Sequence, residues 1–331
     1  MKSILNQLFE HQKLTKEQAK EVLINISQNK YNPSQLAAFI SVYLMRNISV
    51  DELAGFRDAL LDLCIKVDFD ELPIIDLCGT GGDSKNTFNI STLASFVVAG
   101  AGYHVAKHGN YGVSSVSGSS NVLEYFGFQF TNDTDVLKKQ MDTANIAFLH
   151  APLFHPALKS VGPIRKELGV KTFFNMLGPL VNPAQPQHQS VGVFSIKLAR
   201  LYQFLHEDSF KKYAIIHAVD GYDEVSLTGP VKLITNHAEQ LVDATYFGLQ
   251  EYKQEDIFGG GTIKEAADIF INILENKGTQ SQNDVVVANA ALAIQCFDQD
   301  KVITDCVAEA RESLNSGMAY SAFKNLMSTI K

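Results

Sequence analysis

Residues 73–92 read Pro73-Ile-Ile-Asp-Leu-Cys-Gly79-Thr-Gly-Gly-Asp83-Ser-Lys-Asn-Thr87-Phe-Asn-Ile-Ser-Thr92. The short apolar run Ile74, Ile75 and Leu77 is the mark of a buried strand. Gly79, Gly81 and Gly82 break it into a loop, and residues 93–102 supply a small-residue apolar segment long enough for a buried helix. Strand, glycine turn and helix start together outline an anion site. Glycines let main-chain N–H groups approach a ligand closely, and the first N–H groups of a helix have no internal partner and sit at the positive end of its dipole. Asn89, Ser91 and Thr92 are cap-type residues whose side chains can instead hold a phosphate or a metal. A tight turn leading into an ordinary capped helix fits the same stretch.

Two phosphate motifs are excluded. Neither Gly79 nor Gly81 begins a Walker loop, which needs four residues and then Gly-Lys-Ser or Gly-Lys-Thr. A dinucleotide fingerprint begun at Gly79 and Gly81 would have Ser84 open the helix, but Lys85 and Asn86 follow it.

The sequence has 331 residues, which predicts two domains, and its 46% hydrophobic and 19% charged residues are those of a soluble globular protein. No apolar run reaches the length of a membrane span, and the N-terminus lacks a secretory signal pattern, so a cytoplasmic protein without membrane association is expected. Cys64, Cys78, Cys296 and Cys306 form no Cys-x-x-Cys pair, which points to buried thiols rather than a zinc site or a disulfide framework. The net charge of −8 argues against nucleic-acid binding and leaves room for an anionic small substrate in a locally positive pocket.

The first sixty-odd residues read as four short amphipathic helices. Capping boxes are expected at Thr15 with Gln18 and at Ser49 with Glu52, and Asn32 before Pro33 is a further helix start. From Pro73 onward strands (103–106, 146–149, 191–194, 214–219 and 232–235) alternate with helical segments. This predicts a mainly parallel sheet flanked by helices, with ligands at the C-terminal strand ends. Between residues 156 and 183 the pattern turns to helix and turn, and four helices follow Lys264, the first two separated by a polar loop over 275–284.

Three more stretches carry chemistry. Residues 107–121, Lys107-His-Gly-Asn110-Tyr-Gly-Val-Ser-Ser115-Val-Ser117-Gly118-Ser119-Ser-Asn121, combine a cation with hydroxyl and main-chain donors after a strand, which suits a phosphate or pyrophosphate; a flexible Ser/Gly loop is the bland alternative. Residues 220–230 place Asp223 and Glu224 after an apolar strand, and such carboxylates fit magnesium; a solvated acidic turn fits the pair taken alone. In residues 155–183, Arg165 is suited to grip a planar carboxylate through two parallel hydrogen bonds. His150 and His155 have no third ligand nearby and read as core or pocket residues.

Together these stretches resemble the anthranilate phosphoribosyltransferases. The resemblance rests on Gly79-Thr-Gly-Gly-Asp83, Thr87-Phe-Asn-Ile-Ser-Thr92, Lys107-His-Gly-Asn110 with Ser114-Ser115, His155-Pro-Ala157, Arg165-Lys166, the run from Asn175 to Pro183, and Asp223-Glu-Val-Ser-Leu-Thr-Gly229. It implies a nucleoside phosphorylase-like α/β fold. A helical domain is made from residues 1–67 plus about 160–190, and an α/β domain from 68–159 plus 191–331. It also implies a homodimer through the helical domains. The implied reaction joins anthranilate to 5-phosphoribosyl-1-pyrophosphate with magnesium as cofactor. By the same resemblance Gly79, Gly82, Asp83, Thr87, Asn89, Ile90, Ser91 and Thr92 surround the phosphoribosyl pyrophosphate, together with Lys107, Ser115, Ser117, Gly118 and Ser119. Anthranilate falls to Gly79, Asn110, His155 and Arg165, and magnesium to Ser91, Asp223 and Glu224. Tyr111, His150 and Leu158 depart from the residues usual in the family, which are Arg, Phe and Met. Two rivals stay open: a pyrimidine nucleoside phosphorylase, less favoured by Arg165 and Asp223-Glu224, and a non-catalytic nucleic-acid binder, which would need a basic groove.

Overall fold

The computed structural model describes residues 1–112, 115–207, 209 and 211–329. Four helices open the chain: α1 (Lys2–Phe9), α2 (Lys16–Ser27), α3 (Pro33–Met45) and α4 (Val50–Leu63). The starts of the last three are fixed by reciprocal side-chain caps, Thr15 with Gln18, Asn32 with Gln35 and Ser49 with Glu52. Three strands then alternate with helices: β1 (Ile74–Gly79), α5 (Ile90–Gly100), β2 (His104–Gly109), α6 (Ser119–Tyr125), α7 (Thr134–Ala144) and β3 (Ile146–His150). A helical excursion follows, with α8 (Ala151–Phe154), α9 (Gly162–Leu168) and short 3-10 turns. The chain continues with β4 (His188–Gly192), α10 (Ile196–Glu207), β5 (Lys212–Ala218), β6 (Val231–Thr235) and β7 (Glu239–Val242). It ends in α11 (Ile263–Leu274), α12 (Gln280–Gln295), α13 (Ile303–Asn315) and α14 (Met318–Ser328).

Two compact units result. The first comprises Met1–Val67 and Ala151–Gln185, the second Asp68–His150 and Pro186–Lys331. The returning segment thus runs from Ala151 to Gln185, where the resemblance implies about 160–190, and His155 lies in the helical unit. That unit is centred on aromatic rings. Phe173 stacks on Phe56 at 4.7 Å and meets Phe39 and Tyr43 edge-on or tilted, so side chains from α3, α4 and the returning segment share one core.

In the second unit the described residues form one sheet in the order β3-β2-β1-β4-β5-β6-β7. The first five strands pair in parallel, and β6 and β7 are antiparallel additions at one edge. The order runs outward in one direction from β1 through β2 to β3 and in the other from β4 to β5. The boundary between β1 and β4 is therefore a topological switch point, where open α/β sheets leave a crevice at their carboxyl ends. Helix α12 packs on α5 and α13, and every residue from Asp284 to Ile294 on it is buried. A helix buried on all sides belongs to a core, and α12 is a rigid post within this one.

Three sequence expectations are corrected. The strand expected at 103–106 runs to Gly109 and contains Lys107 and His108, because burial on both faces of an inner strand is compatible with polar residues that find partners. The polar loop expected at 275–284 is shorter, since α12 starts at Gln280 behind the Thr279–Gln282 capping box and its first turn is simply polar. The strand expected at 191–194 is His188–Gly192, whose polar first half hid it. Among the described residues no helix is long and apolar enough to cross a membrane.

Candidate active site

The switch point is occupied by a carboxylate. Gly79 ends β1 and Gly192 ends β4, side by side in register, and Asp223 lies against both. A Cβ on Gly79 would stand 2.5 Å from Asp223 Oδ2, and one on Gly192 would overlap the Asp223 carbonyl. Only residues without a side chain admit the acid here. Past Gly79 the chain turns through Gly81 and Gly82, with φ of 62° and 82°, and the Gly81 N–H donates to Asp223 Oδ2 at 2.7 Å. Glu224 Oε1 accepts from the Ser91 N–H at 3.0 Å, so the head of α5 already faces a carboxyl oxygen.

These acids crowd one another. Burial, and then the nearby charge of Asp83, push the Asp223 carboxyl up to about 7. Glu224 is partly exposed as a residue, yet the protein packed around its carboxyl is the leading push well above the usual range, followed by the charges of Asp223 and Asp83. Carboxylates held together out of water call for a cation. The donors are hard oxygens. That suits magnesium, which takes one or two carboxylates and completes its octahedron with water and substrate phosphate oxygens.

The rest of the first loop is held from two sides. Lys85 Nζ lies 4.6 Å from the Tyr222 ring centre. Thr87 forms a β-bridge with Phe258, the Gly259 N–H donates to Asn86 O at 2.7 Å, and Asn86 Nδ2 donates to Gly260 O at 2.6 Å. Asn89 occupies the cap position of α5 without making a side-chain cap; its Nδ2 donates to Ser117 O at 3.0 Å and joins the first loop to the second. The Ile90 N–H bonds Phe88 O, and Ile90 and Thr92 are buried in the helix head.

In the second loop Lys107 is a strand residue, 1% exposed, and its Nζ donates to Leu77 O at 2.6 Å. Burial lowers its pKa, while Asp76, Cys78 and Glu224 oppose that shift. Asn121 Oδ1 accepts from both the Gly112 and Gly118 N–H groups at 2.9 Å and closes the loop on itself. Ser119 Oγ and Asn110 exchange hydrogen bonds, and Ser115 Oγ bonds Ser117 O. Ser114 lies outside the described residues. Tyr111 and His150, both departures from the family pattern, touch: their rings meet edge-on at 4.9 Å, and His150 stacks on Phe130 and bonds Ser120 Oγ at 2.8 Å. His150 is a buried residue held by these partners.

The helical unit presents Arg165 on α9. Its guanidinium lies 5.4 Å from the Phe174 ring centre and its Nη2 is 3.4 Å from Asn175 Oδ1. Burial lowers its pKa, and among the described residues no carboxylate pairs with it. A partly desolvated, oriented cation with no internal counter-ion is prepared for an external anion. His155 is buried in the same unit, and burial pushes its imidazole down to about 4, so it is neutral at pH 7.

Sequence reasoning passed over Asp76 and Asn121. Asp76 is fully buried in β1 and its Oδ1 accepts from the His108 N–H at 3.1 Å. An acid inside an apolar strand was the signal for it.

The profile of the glycosyl transferase family, a/b domain, matches residues 71–320, and that of the glycosyl transferase family, helical bundle domain, matches residues 2–64. Among curated proteins, the anthranilate phosphoribosyltransferase of Christiangramia forsetii is 57% identical over 326 residues, covering 98% of each chain. That of Bacteroides thetaiotaomicron is 54% identical over 327 residues, covering 99% of this chain and 98% of its own. Among solved structures, anthranilate phosphoribosyltransferase from Thermus thermophilus superposes with a TM-score of 0.90 at 29% identity, covering 98% of both chains. The Saccharomyces cerevisiae enzyme in complex with PRPP and Mg gives 0.91 at 26% identity, covering 99% of this chain and 97% of its own.

Proposed function

The chain belongs to the anthranilate phosphoribosyltransferase family, and from that membership we propose that it transfers the 5-phosphoribosyl group of 5-phosphoribosyl-1-pyrophosphate to the amine of anthranilate, giving N-(5-phosphoribosyl)anthranilate and pyrophosphate in tryptophan biosynthesis. The observation that carries this reading is the Asp223–Glu224 pair at the switch point, flanked by two donor-rich loops that Asn89 ties together.

In the reaction the amine nitrogen bonds to the ribose C1 as the C1–O bond to pyrophosphate breaks, and the nitrogen sheds a proton. Pyrophosphate is already a good leaving group, so the protein supplies no covalent nucleophile; it orients the reactants and balances charge. Gly79, Gly82, Asp83 and Thr87 line the first loop, and Asn89, Ile90, Ser91 and Thr92 the head of α5. Lys107 and residues 115–119 complete the cradle for phosphoribosyl pyrophosphate. Asp223, Glu224 and Ser91 would hold magnesium, which neutralises charge on the phosphate oxygens when bound. Arg165 takes the anthranilate carboxylate in a charge-assisted pair. A cytoplasmic location accords with the free thiols of Cys64, Cys78, Cys296 and Cys306.

The test follows anthranilate fluorescence with purified protein, phosphoribosyl pyrophosphate and magnesium, omitting each in turn. Signal loss that needs all components supports the reading; a folded protein that leaves the fluorescence untouched overturns it. Arg165→Ala is expected to raise the KM for anthranilate about tenfold or more, the loss of one charge-assisted pair, and to change that for phosphoribosyl pyrophosphate little. An unaltered anthranilate KM would remove Arg165 from the acceptor site. A homodimer through the helical unit belongs to the same reading, since Phe9, Leu44 and Met45 there are 58%, 45% and 88% exposed. Light scattering on the purified chain should give twice the 36.4 kDa chain mass, and a monomer at micromolar concentration would refute it.

A further inference from the structure

The Asp223–Glu224 carboxylates stand on a turn, and a side chain of α12 binds the turn directly. Asn289 is 6% exposed, and its amide meets both main-chain groups of Val225, the residue after Glu224. Its Oδ1 accepts from the Val225 N–H at 3.0 Å and its Nδ2 donates to Val225 O at 2.9 Å. Nδ2 also donates to Val285 O at 2.8 Å, one turn back on α12, which fixes the direction of the amide relative to the helix. The contact copies the two-point pairing of neighbouring strands, made by a side chain from a post that is buried all round.

The turn needs such a fastening. Leu227 lies two residues on with φ of 55°, a conformation that a bulky side chain adopts only when its surroundings impose it. A second, indirect restraint runs through Tyr252: its N–H donates to Leu227 O at 2.8 Å, and its hydroxyl donates to Asp284 Oδ2 on α12 at 2.6 Å. Asn289 also lines a small cavity together with Asp223 and Glu224.

We propose that Asn289 is a positioning residue for the metal-binding carboxylates, holding Val225 against α12 so that Asp223 and Glu224 stay together at the switch point. The proposal rests on the reading of those two acids as magnesium ligands. Leucine is close to asparagine in volume but offers no hydrogen bond, so Asn289→Leu leaves two main-chain groups of Val225 buried without partners. Asn289→Ser leaves space for water to reach them and keeps the chain foldable. Outer groups that orient metal ligands are worth about 10- to 100-fold in metal affinity.

Two measurements test it. In the unaltered chain without metal, hydrogen exchange at the Val225 amide should be as slow as in the middle of α12, and prompt exchange there would overturn the proposal whatever the variants do. In the presence of phosphoribosyl pyrophosphate, calorimetric titration with Mn2+ should show affinity about tenfold or more weaker in Asn289→Ser and Asn289→Leu. Ser313→Ala serves as comparator: it deletes a buried bond from Ser313 Oγ to Val97 O on α5, remote in sequence from the carboxylates, and should lower thermal stability while leaving Mn2+ affinity in place. Folded Asn289 variants that bind Mn2+ within about twofold of the unaltered chain overturn the proposal. An unaltered chain that binds no Mn2+ overturns the metal reading instead, and the exchange measurement still decides whether Asn289 holds the turn.

Discussion

Replacing Asp223 by Asn together with Glu224 by Gln should lower turnover by about a thousandfold or more and leave a well-folded protein. The amide oxygens of the new side chains can still accept from the Gly81 and Ser91 N–H groups, so both hydrogen bonds to the loops survive. The anionic charge is what disappears. Charge stabilisation of several kcal/mol is ordinary for a bound metal, and each 1.36 kcal/mol is about a tenfold in rate. The same substitutions remove neighbouring acids whose pKa values burial and mutual repulsion have raised, so the metal-free variant should melt at the parent temperature or above it. Steady-state rates at saturating magnesium and thermal melts in a chelator check the two halves. Full activity in the double variant would take the metal role away from this pair.

Gly192→Ala should lower the rate by about a hundredfold, although it adds a single methyl group and alters no charge. The methyl has no space, because the Asp223 carbonyl already lies where it would go. Either the end of β4 or the 223–225 turn must shift, and a displacement of about 1 Å at reacting groups costs on the order of a hundredfold in rate. Part of the strain will appear as lost stability, typically about 1–3 kcal/mol for overpacking in a core. Measurement of kcat/KM and Tm on the variant checks this. A protein with parental values in both would show that the approach of Asp223 to the strand ends is looser than described.

Much of this site was legible in the chain because its chemistry is local. A glycine run after an apolar strand, a cation and hydroxyls after the next, and adjacent acids after a third each advertise a strand end, and parallel strands bring their ends together. The caps at Thr15, Asn32 and Ser49 were equally plain, since their partners lie three residues away. What stayed hidden depends on partners remote in sequence. Lys107 read as a loop cation because nothing nearby announces that Leu77 O and Asp76 await it inside the sheet. Asn289 lies in an alanine-rich helix far from the acids, and only the packing of α12 shows what its amide holds. Strand β7, four residues long and half polar, has too little pattern to stand out against a turn.

The split construction of the helical unit bears on how the chain is made. Phe39, Tyr43 and Phe56 emerge early during synthesis, but Phe173, the ring that joins them, follows Phe56 by roughly 120 residues. At about 5–20 residues per second the ribosome leaves that aromatic cluster incomplete for roughly 6–24 s, while β1, β2 and β3 are being produced. Over this interval the first helices await the ring that completes their core. A fragment ending before Ala151 would lack Phe173, the ring that stacks on Phe56, so stopping where the first four helices end removes part of the core they share.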